Sequence, residues 1–350
     1  MVDVARSAGV AVSTVSRVVN ADPTVGRDFV DRVHRAITDL GWETDDLARN
    51  LRLGVSGTIG AVVVELDSPF LRAAERAARA AGLMVLTVST ENDEHLESEA
   101  VRSLSRRRVD GLIIEQGTAT TNTYLDQQIL RGLPVVAIDR PLPSRTADSV
   151  ISDNPGGIEL AYTHLVGRGH RTIVYIGDQE RLFTGAERAD AFRRCADQHG
   201  HDPRHRVFTG PVNPERVSTD LDRAHTQRPK PTALITGNAE ITIRAFQHLG
   251  VGLAGLDIVG FDDLTLATIL DPPLTVIAQD YTAMGAAALH MITSRLGQPH
   301  LPVRQTTIPV TLIDRTNPPD LVLPDPPPRR VRSPRGRSPS TPDTTLLSRK

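Results

Sequence analysis

The sequence predicts an α/β protein in which a small N-terminal helix-turn-helix unit precedes a two-lobed core of parallel sheets flanked by helices. Three observations predict it. Residues 1–20 carry two short helical patterns around Gly9, strand and helix patterns alternate from Thr58 onward, and that alternation is too long for one comfortable sheet. In the first helical pattern Val4, Ala5 and Ala8 share a face, and in the second Val15, Val18 and Val19 do. The second helix then turns Ser13, Ser16 and Arg17 outward. Small hydroxyls let a helix approach phosphates and base edges closely, and an arginine can fork onto guanine or phosphate oxygens. The hairpin thus has the geometry of a helix laid in a DNA major groove. The same residues also fit an ordinary helical hairpin in a core.

A third helix is predicted over Val25–Leu40, with Val30, Val33, Ile37 and Leu40 on one stripe, Gly41 as its stop and Trp42 closing the small core. Asp45–Leu53 reads as a short helix, marginal alone in water, that needs a partner helix or DNA. The core opens with a buried strand at Ile59–Leu66, a helix at Pro69–Gly82, a strand at Leu83–Val88 and a helix at Asp93–Arg108. Strand Val109–Glu115, helix Tyr124–Arg131 and strand Pro134–Ile138 follow. The alternation resumes with Ile158–Val166 and runs through Thr172–Ile176, Ala186–His199, Glu215–Thr226, Thr232–Thr236, Glu240–Leu249, Asp257–Val259 and Leu274–Ile277 to Tyr281–Leu296. In such sheets a ligand sits at the carboxyl ends of the strands, here between the lobes. After Pro319 the chain is Pro-rich and basic, with too little apolar surface to fold. The expected units are a DNA-binding unit at 1–44, a hinge helix and linker at 45–57, an effector-binding and dimerisation core at 58–319 and a disordered Pro/Arg-rich tail at 320–350.

Composition excludes several classes. A length of 350 residues fits two or three domains, and 23% charged with 39% hydrophobic residues is ordinary for a soluble globular protein. No apolar run approaches the ~20 residues of a membrane span, and the N-terminus has no apolar signal core, so no membrane partner and a cytoplasmic location are expected. Cys195 is the only cysteine, which rules out an intrachain disulfide or a thiolate cluster, and its helical stripe with Phe192 makes it a buried thiol. His199, His201 and His205 flank Gly200 and Pro203 without the spacing of a metal site. A Gly-rich phosphate loop, a nucleophile elbow and a zinc-protease helix are all missing from the sequence. Neither metal nor cofactor is expected, no catalytic residue is nominated, and the chain does not read as an enzyme.

The order of parts, and several stretches in detail, resemble the lac repressor and galactose repressor family of bacterial transcription regulators. Thr14-Val15-Ser16-Arg17-Val18-Val19-Asn20 is similar to the family's recognition helix, and Leu47-Ala48-Arg49-Asn50-Leu51-Arg52 to its hinge helix. In the core, Pro134-Val135-Val136-Ala137-Ile138-Asp139-Arg140, Ser152-Asp153-Asn154-Pro155-Gly156-Gly157, Val259-Gly260-Phe261-Asp262-Asp263 and Pro273 through Asp280 follow the family pattern. The resemblance covers about Met1 to Pro319. It implies a periplasmic-binding-protein-like core and a homodimeric, sequence-specific DNA-binding repressor whose operator affinity is set by a small ligand, a sugar, held between the lobes. A sugar-binding receptor or enzyme using only the core is the alternative; a secretion signal or a catalytic constellation would favour it, and neither is present in the sequence.

By this resemblance Val12, Ser13, Thr14, Ser16, Arg17, Asn20 and Leu51 are the DNA-binding residues, and Asp139, Arg188, Asn238, Asp263, Gln279 and Tyr281 line the effector site. Each core residue has a simpler local role as well. Asp139 and Arg140 at a strand end can pair with each other, and Arg188 can form a salt bridge on an exposed helix face. Asn238 can cap the next helix, and Asp263, read here as opening a helix, can do the same. Tyr281 is placed to stack on a sugar ring.

The sequence departs from the family at its helix starts, where Met1, Ala11 and Gly26 stand in place of hydroxyl caps whose loss costs about 0.5 to 2 kcal/mol each, less for Gly. An upstream start codon would restore the first. Charge departs too: up to Arg52 there are seven basic and eight acidic residues, whereas after Pro319 seven basic residues face three acidic ones. The electrostatic attraction that supplies most non-specific DNA affinity is therefore weak in the N-terminal unit.

Overall fold

The computed structural model describes residues 1–20, 22–42, 55–117, 121–250 and 255–315. Helices α1 (Val2–Ala8), α2 (Val12–Val19) and α3 (Arg27–Leu40) form the N-terminal unit. Gly9 makes the turn after α1 at a φ of 62°, left-handed backbone that glycine adopts without a Cβ penalty. Arg32 of α3 reaches back and donates to the Ala8 and Gly9 carbonyls at 2.5 and 3.0 Å, satisfying the end of α1. Val4, Ala5, Ala8, Val15, Val18, Val33 and Ala36 make the core, with Trp42 packed against it. Helix α3 starts at Arg27, two residues later than the apolar pattern implies, and none of the three helices has a side-chain cap at Met1, Ala11 or Gly26. The expected hinge helix with Leu51, and the tail from Asp320, lie outside the described residues.

The first lobe holds β1 (Thr58–Val63), α4 (Pro69–Ala80), β2 (Met84–Ser89), α5 (Glu94–Arg106), β3 (Gly111–Ile114), α6 (Thr123–Leu130), β4 (Val135–Ile138) and β5 (Asp148–Ser152). The chain then builds the second lobe with α7 (Asn154–Gly167), β6 (Ile173–Gly177), α8 (Phe183–Gln198), β7 (Val207–Thr209), α9 (Pro214–Thr226), β8 (Ala233–Thr236), α10 (Ala239–Leu249), β9 (Asp257–Phe261) and β10 (Thr275–Gln279). It returns to the first lobe for α11 (Tyr281–Gly297) and β11 (Gln305–Ile308), and to the second for β12 (Val310–Ile313).

Each lobe is a six-stranded sheet, in the orders β11-β5-β4-β3-β1-β2 and β12-β10-β9-β8-β6-β7. Every pairing is parallel except β10 with β12. Apolar clusters cover both faces of each sheet, which is why β1, β3, β4 and β8 read as unbroken apolar runs. Helix α11 is locked onto α4 at Gly285, where a side chain would meet the Ala73 and Ala74 backbone at 2.8 Å.

Strands β5, β7, β11 and β12 are absent from the sequence pattern. In β5 the reason is chemical: Asp148, Ser149 and Ser152 are all buried, so the strand does not look apolar. Asp148 is fully buried and receives Arg295 at 2.7 Å, Arg304 at 2.9 Å and the Arg304 backbone N–H at 2.8 Å. Burial pushes its carboxyl up, and the arginines more than offset this and hold it below the ordinary range. Two residues far along the chain thus make a polar segment into an interior strand. Removing the carboxylate strands two guanidiniums, so Asp148→Ala is expected to cost about 3 kcal/mol, seen as a lower urea midpoint; an unchanged midpoint would show that the arginines find water instead.

Candidate functional site

Two surfaces gather the residues that the sequence singles out. On α2, Val12, Ser13, Arg17 and Asn20 are exposed and Thr14 and Ser16 half-buried, so the helix presents its N-terminal half outward while Val15 and Val18 anchor it. Arg17 faces outward as the sequence implies, and it is also held in place. Its Nε donates to Asp22 at 2.9 Å and its Nη2 to the Thr24 hydroxyl, and Asp22 in turn accepts the Thr24 N–H at 2.9 Å and the Thr24 hydroxyl at 2.5 Å. Those hydrogen bonds from Thr24, with Arg17, hold the Asp22 carboxyl down to about 2. The loop after α2 folds this acid back onto the helix face.

The second surface is a cleft of about 720 Å³ at the carboxyl ends of the strands of both sheets. Asp139, Arg188, Asn238, Asp263, Gln279 and Tyr281 all line it. Strand geometry explains the convergence: in two parallel sheets the loops that leave β4, β8, β9 and β10 emerge at one end. Arg188 is almost completely buried on α8, its Nε donating to Asn154 at 2.7 Å, its Nη1 to the Gly237 carbonyl at 2.6 Å, and its guanidinium centred 3.6 Å from the Phe261 ring centroid. The exposed salt bridge considered for it does not form among the described residues. Asn238 does cap α10, accepting from the Ile241 N–H at 2.9 Å, while still facing the cleft. Asp139 pairs with Arg140 at 3.2 Å.

Asp263 needs correction. It opens no α-helix; Leu264 precedes a short 3-10 turn at Thr265–Thr268, and both oxygens of the Asp263 carboxylate are taken by Arg315 at 2.9 and 3.0 Å. Its neighbour Asp262, which the sequence reading passed over, is the better-placed acid. One oxygen accepts from Gln279 at 2.5 Å and from the Tyr281 hydroxyl at 3.5 Å, and the other from the Ala239 N–H at 3.1 Å. Gln279 also accepts a hydrogen bond from Ser152, so the network ties the end of β5 in the first lobe to β9 and β10 in the second. Tyr281 is committed to this network through its hydroxyl, which burial and Asp262 push far up.

Eight acidic residues line the cleft against three arginines. Among those missed in the sequence, Glu115 at the end of β3 has its carboxyl pushed up to about 7, first by burial and then by Asp139. Asp139 and Asp262 have φ values of 65° and 77°, the left-handed backbone that non-glycine residues adopt at a cost. An Asp directly after a strand is the signal in the sequence, and it marks Asp262 as much as Asp139.

The chain resembles known proteins along nearly its whole described length. Residues 1–45 match the model for bacterial regulatory proteins of the lacI family, and residues 162–316 match the periplasmic binding protein-like domain. Its N-terminal unit is thus the DNA-binding domain of the lacI family of bacterial regulatory proteins, set ahead of a periplasmic binding protein-like domain. It is 28% identical over 327 residues to the ribose operon repressor of Escherichia coli K12, covering 90% of this chain and 98% of that protein. It is also 28% identical to the HTH-type transcriptional repressor PurR of Aliivibrio salmonicida, over 85% of this chain and 92% of that one. Its fold is that of the lac repressor dimer solved with operator and the anti-inducer ONPF, with a TM-score of 0.71, 22% identity, and coverage of 89% of this chain and 96% of that one.

The raised Glu115 carboxyl fixes a pH signature. A group that holds its proton more tightly when folded loses stability as pH rises, here from the ordinary carboxyl range through about 7. Glu115→Gln keeps an acceptor for the Val64 N–H and removes the charge. The variant is expected to melt above wild type at pH 8 and level with it at pH 5; an equal gain at both pH values would contradict the burial argument.

Proposed function

We propose that the chain is a sequence-specific DNA-binding repressor whose operator affinity is controlled by a small polyhydroxylated ligand in the cleft. The observation that carries this reading is the coexistence of an outward-facing α2 with a polar cleft whose Ser152–Gln279–Asp262 network bridges both lobes. A ligand that competes for Asp262 changes the contacts that join the lobes, and by reciprocity DNA changes ligand affinity by the same factor. The relatives' names support the reading: they are repressors of a ribose operon and of the PurR type, and the lac repressor was solved as a dimer on its operator. The chain acts by binding and not catalysis, as a cytoplasmic homodimer, with units bounded near residues 44, 57 and 319.

The cleft also selects its ligand. Carboxylates accept from vicinal hydroxyls and Arg188 and Asn238 donate to them, whereas a phosphate entering among eight acidic residues meets like charge. In a thermal-shift series, neutral sugars are expected to contain the stabilising ligand and their phosphate esters to be inert. Asp262→Asn should abolish the sugar's shift, because a native-state ligand raises the melting temperature only by its affinity. Stabilisation by the phosphates alone would overturn this assignment.

On DNA, the full chain is expected to enrich a two-fold symmetric site from a randomised duplex library, as a dimer requires; failure to enrich any sequence would refute the repressor reading. With that site in hand, Arg17→Ala is expected to weaken specific binding by about 1 to 3 kcal/mol and leave random DNA unaffected. Equal losses on both would make Arg17 a phosphate contact.

A further inference from the structure

The commitments of Arg17 leave a particular part of its guanidinium available. A guanidinium has one edge formed by Nε and Nη2 and an end formed by Nη1 and Nη2, and either pair can read guanine through two parallel hydrogen bonds to its N7 and O6. Here the edge is taken: Nε donates to Asp22 at 2.9 Å and Nη2 to the hydroxyl of Thr24. Thr24 is itself fixed, because its N–H and its hydroxyl both bond the other oxygen of Asp22. The three side chains form a closed ring of hydrogen bonds on the outer face of the helix-turn-helix, with Arg17 half-exposed beyond it. Among the described residues Nη1 of Arg17 has no protein partner.

We propose that Asp22 and Thr24 are specificity-determining residues that act through Arg17, holding its guanidinium side-on so that the Nη1 and Nη2 end faces a guanine in each half-site. Neither residue touches the base. This rests on the repressor reading above and adds to it the residues that aim the base contact. The physical gain has two parts. An arginine carries many rotamers, and one held before DNA arrives does not have to be ordered during binding. The acid also discriminates: Asp22 sits beside the base-reading arginine, so on DNA its negative charge weakens attachment to any duplex while the oriented fork strengthens attachment to the right one. The near balance of seven basic and eight acidic residues up to Arg52 fits a unit that gives up general phosphate attraction in favour of base reading.

The test is selection from a randomised duplex library by the full-length wild type, Asp22→Ala, Asp22→Asn, Thr24→Val and Arg17→Lys, each first checked for an unchanged thermal melt. Wild type should give a consensus with a guanine whose preference disappears in Arg17→Lys, which keeps the charge and loses the fork. Asp22→Ala should cut the preference at that base about tenfold, leave the other positions intact and bind random DNA more tightly. Asp22→Asn, which retains an acceptor for Nε, should recover part of the preference, and Thr24→Val should lose part of it. If wild type shows the Arg17-dependent guanine and Asp22→Ala shows it undiminished, the positioning role is wrong and the repressor reading stands. A wild type that selects no sequence overturns both.

Discussion

The hydrogen-bonded chain from Ser152 through Gln279 to Asp262 is the interaction on which the rest of the core depends, because it joins strand ends of two separate sheets within the only large polar space they share among the described residues. Inside a cleft of reduced dielectric a fully satisfied network is rigid, while a partly satisfied one is costly. A molecule that displaces Gln279 from Asp262 breaks the link between the strand ends of the two sheets. Such a displacement would couple binding to the relative arrangement of the lobes without a long pathway. A ligand shifts the arrangement by its difference in affinity for the two states and by no more than that.

Backbone conformation places the key acids. Asp139 and Asp262 follow β4 and β9 in the left-handed region, which aims both carboxylates into the cleft instead of along the strands. Such conformations persist only where the surroundings over-determine them, and here each aspartate is held: Asp139 by Arg140, Asp262 by three donors. Arg188 is equally fixed, stacked on Phe261 and bonded to Asn154 and the Gly237 carbonyl. The site is thus ordered before any ligand enters, and little of a ligand's binding energy is spent arranging it.

The N-terminal unit works under a different constraint. Its three helices lack side-chain caps, and its core is a handful of small apolar residues, so it has little stability to spare. The Arg32 bonds to the end of α1 and the Arg17–Asp22–Thr24 ring supply order that the helix termini do not. With seven basic residues against eight acidic ones up to Arg52, the segment carries little net attraction for phosphates.

The sequence by itself determined every element whose cause is local. Period and punctuation placed the three N-terminal helices, the glycine turn and most of the alternating strands and helices, within a few residues at their ends. It also located the cleft residues Asp139, Arg188, Asn238 and Gln279, because they lie just after strands or carry a family pattern. Tertiary structure decided what depends on partners distant along the chain. Strand β5 is interior only because Arg295 and Arg304 neutralise Asp148, and β11 and β12 pair with strands formed much earlier. Asp262 and Asp263 are adjacent and chemically identical, and what separates them is Arg315, which claims one, and Gln279, which meets the other. Arg17 was visible as an outward arginine, but the acid that aims it became its partner only when the loop after α2 folded back. Hydrogen bonds and charge pairs leave no periodic trace in a sequence, so which polar side chain meets which is settled by the fold.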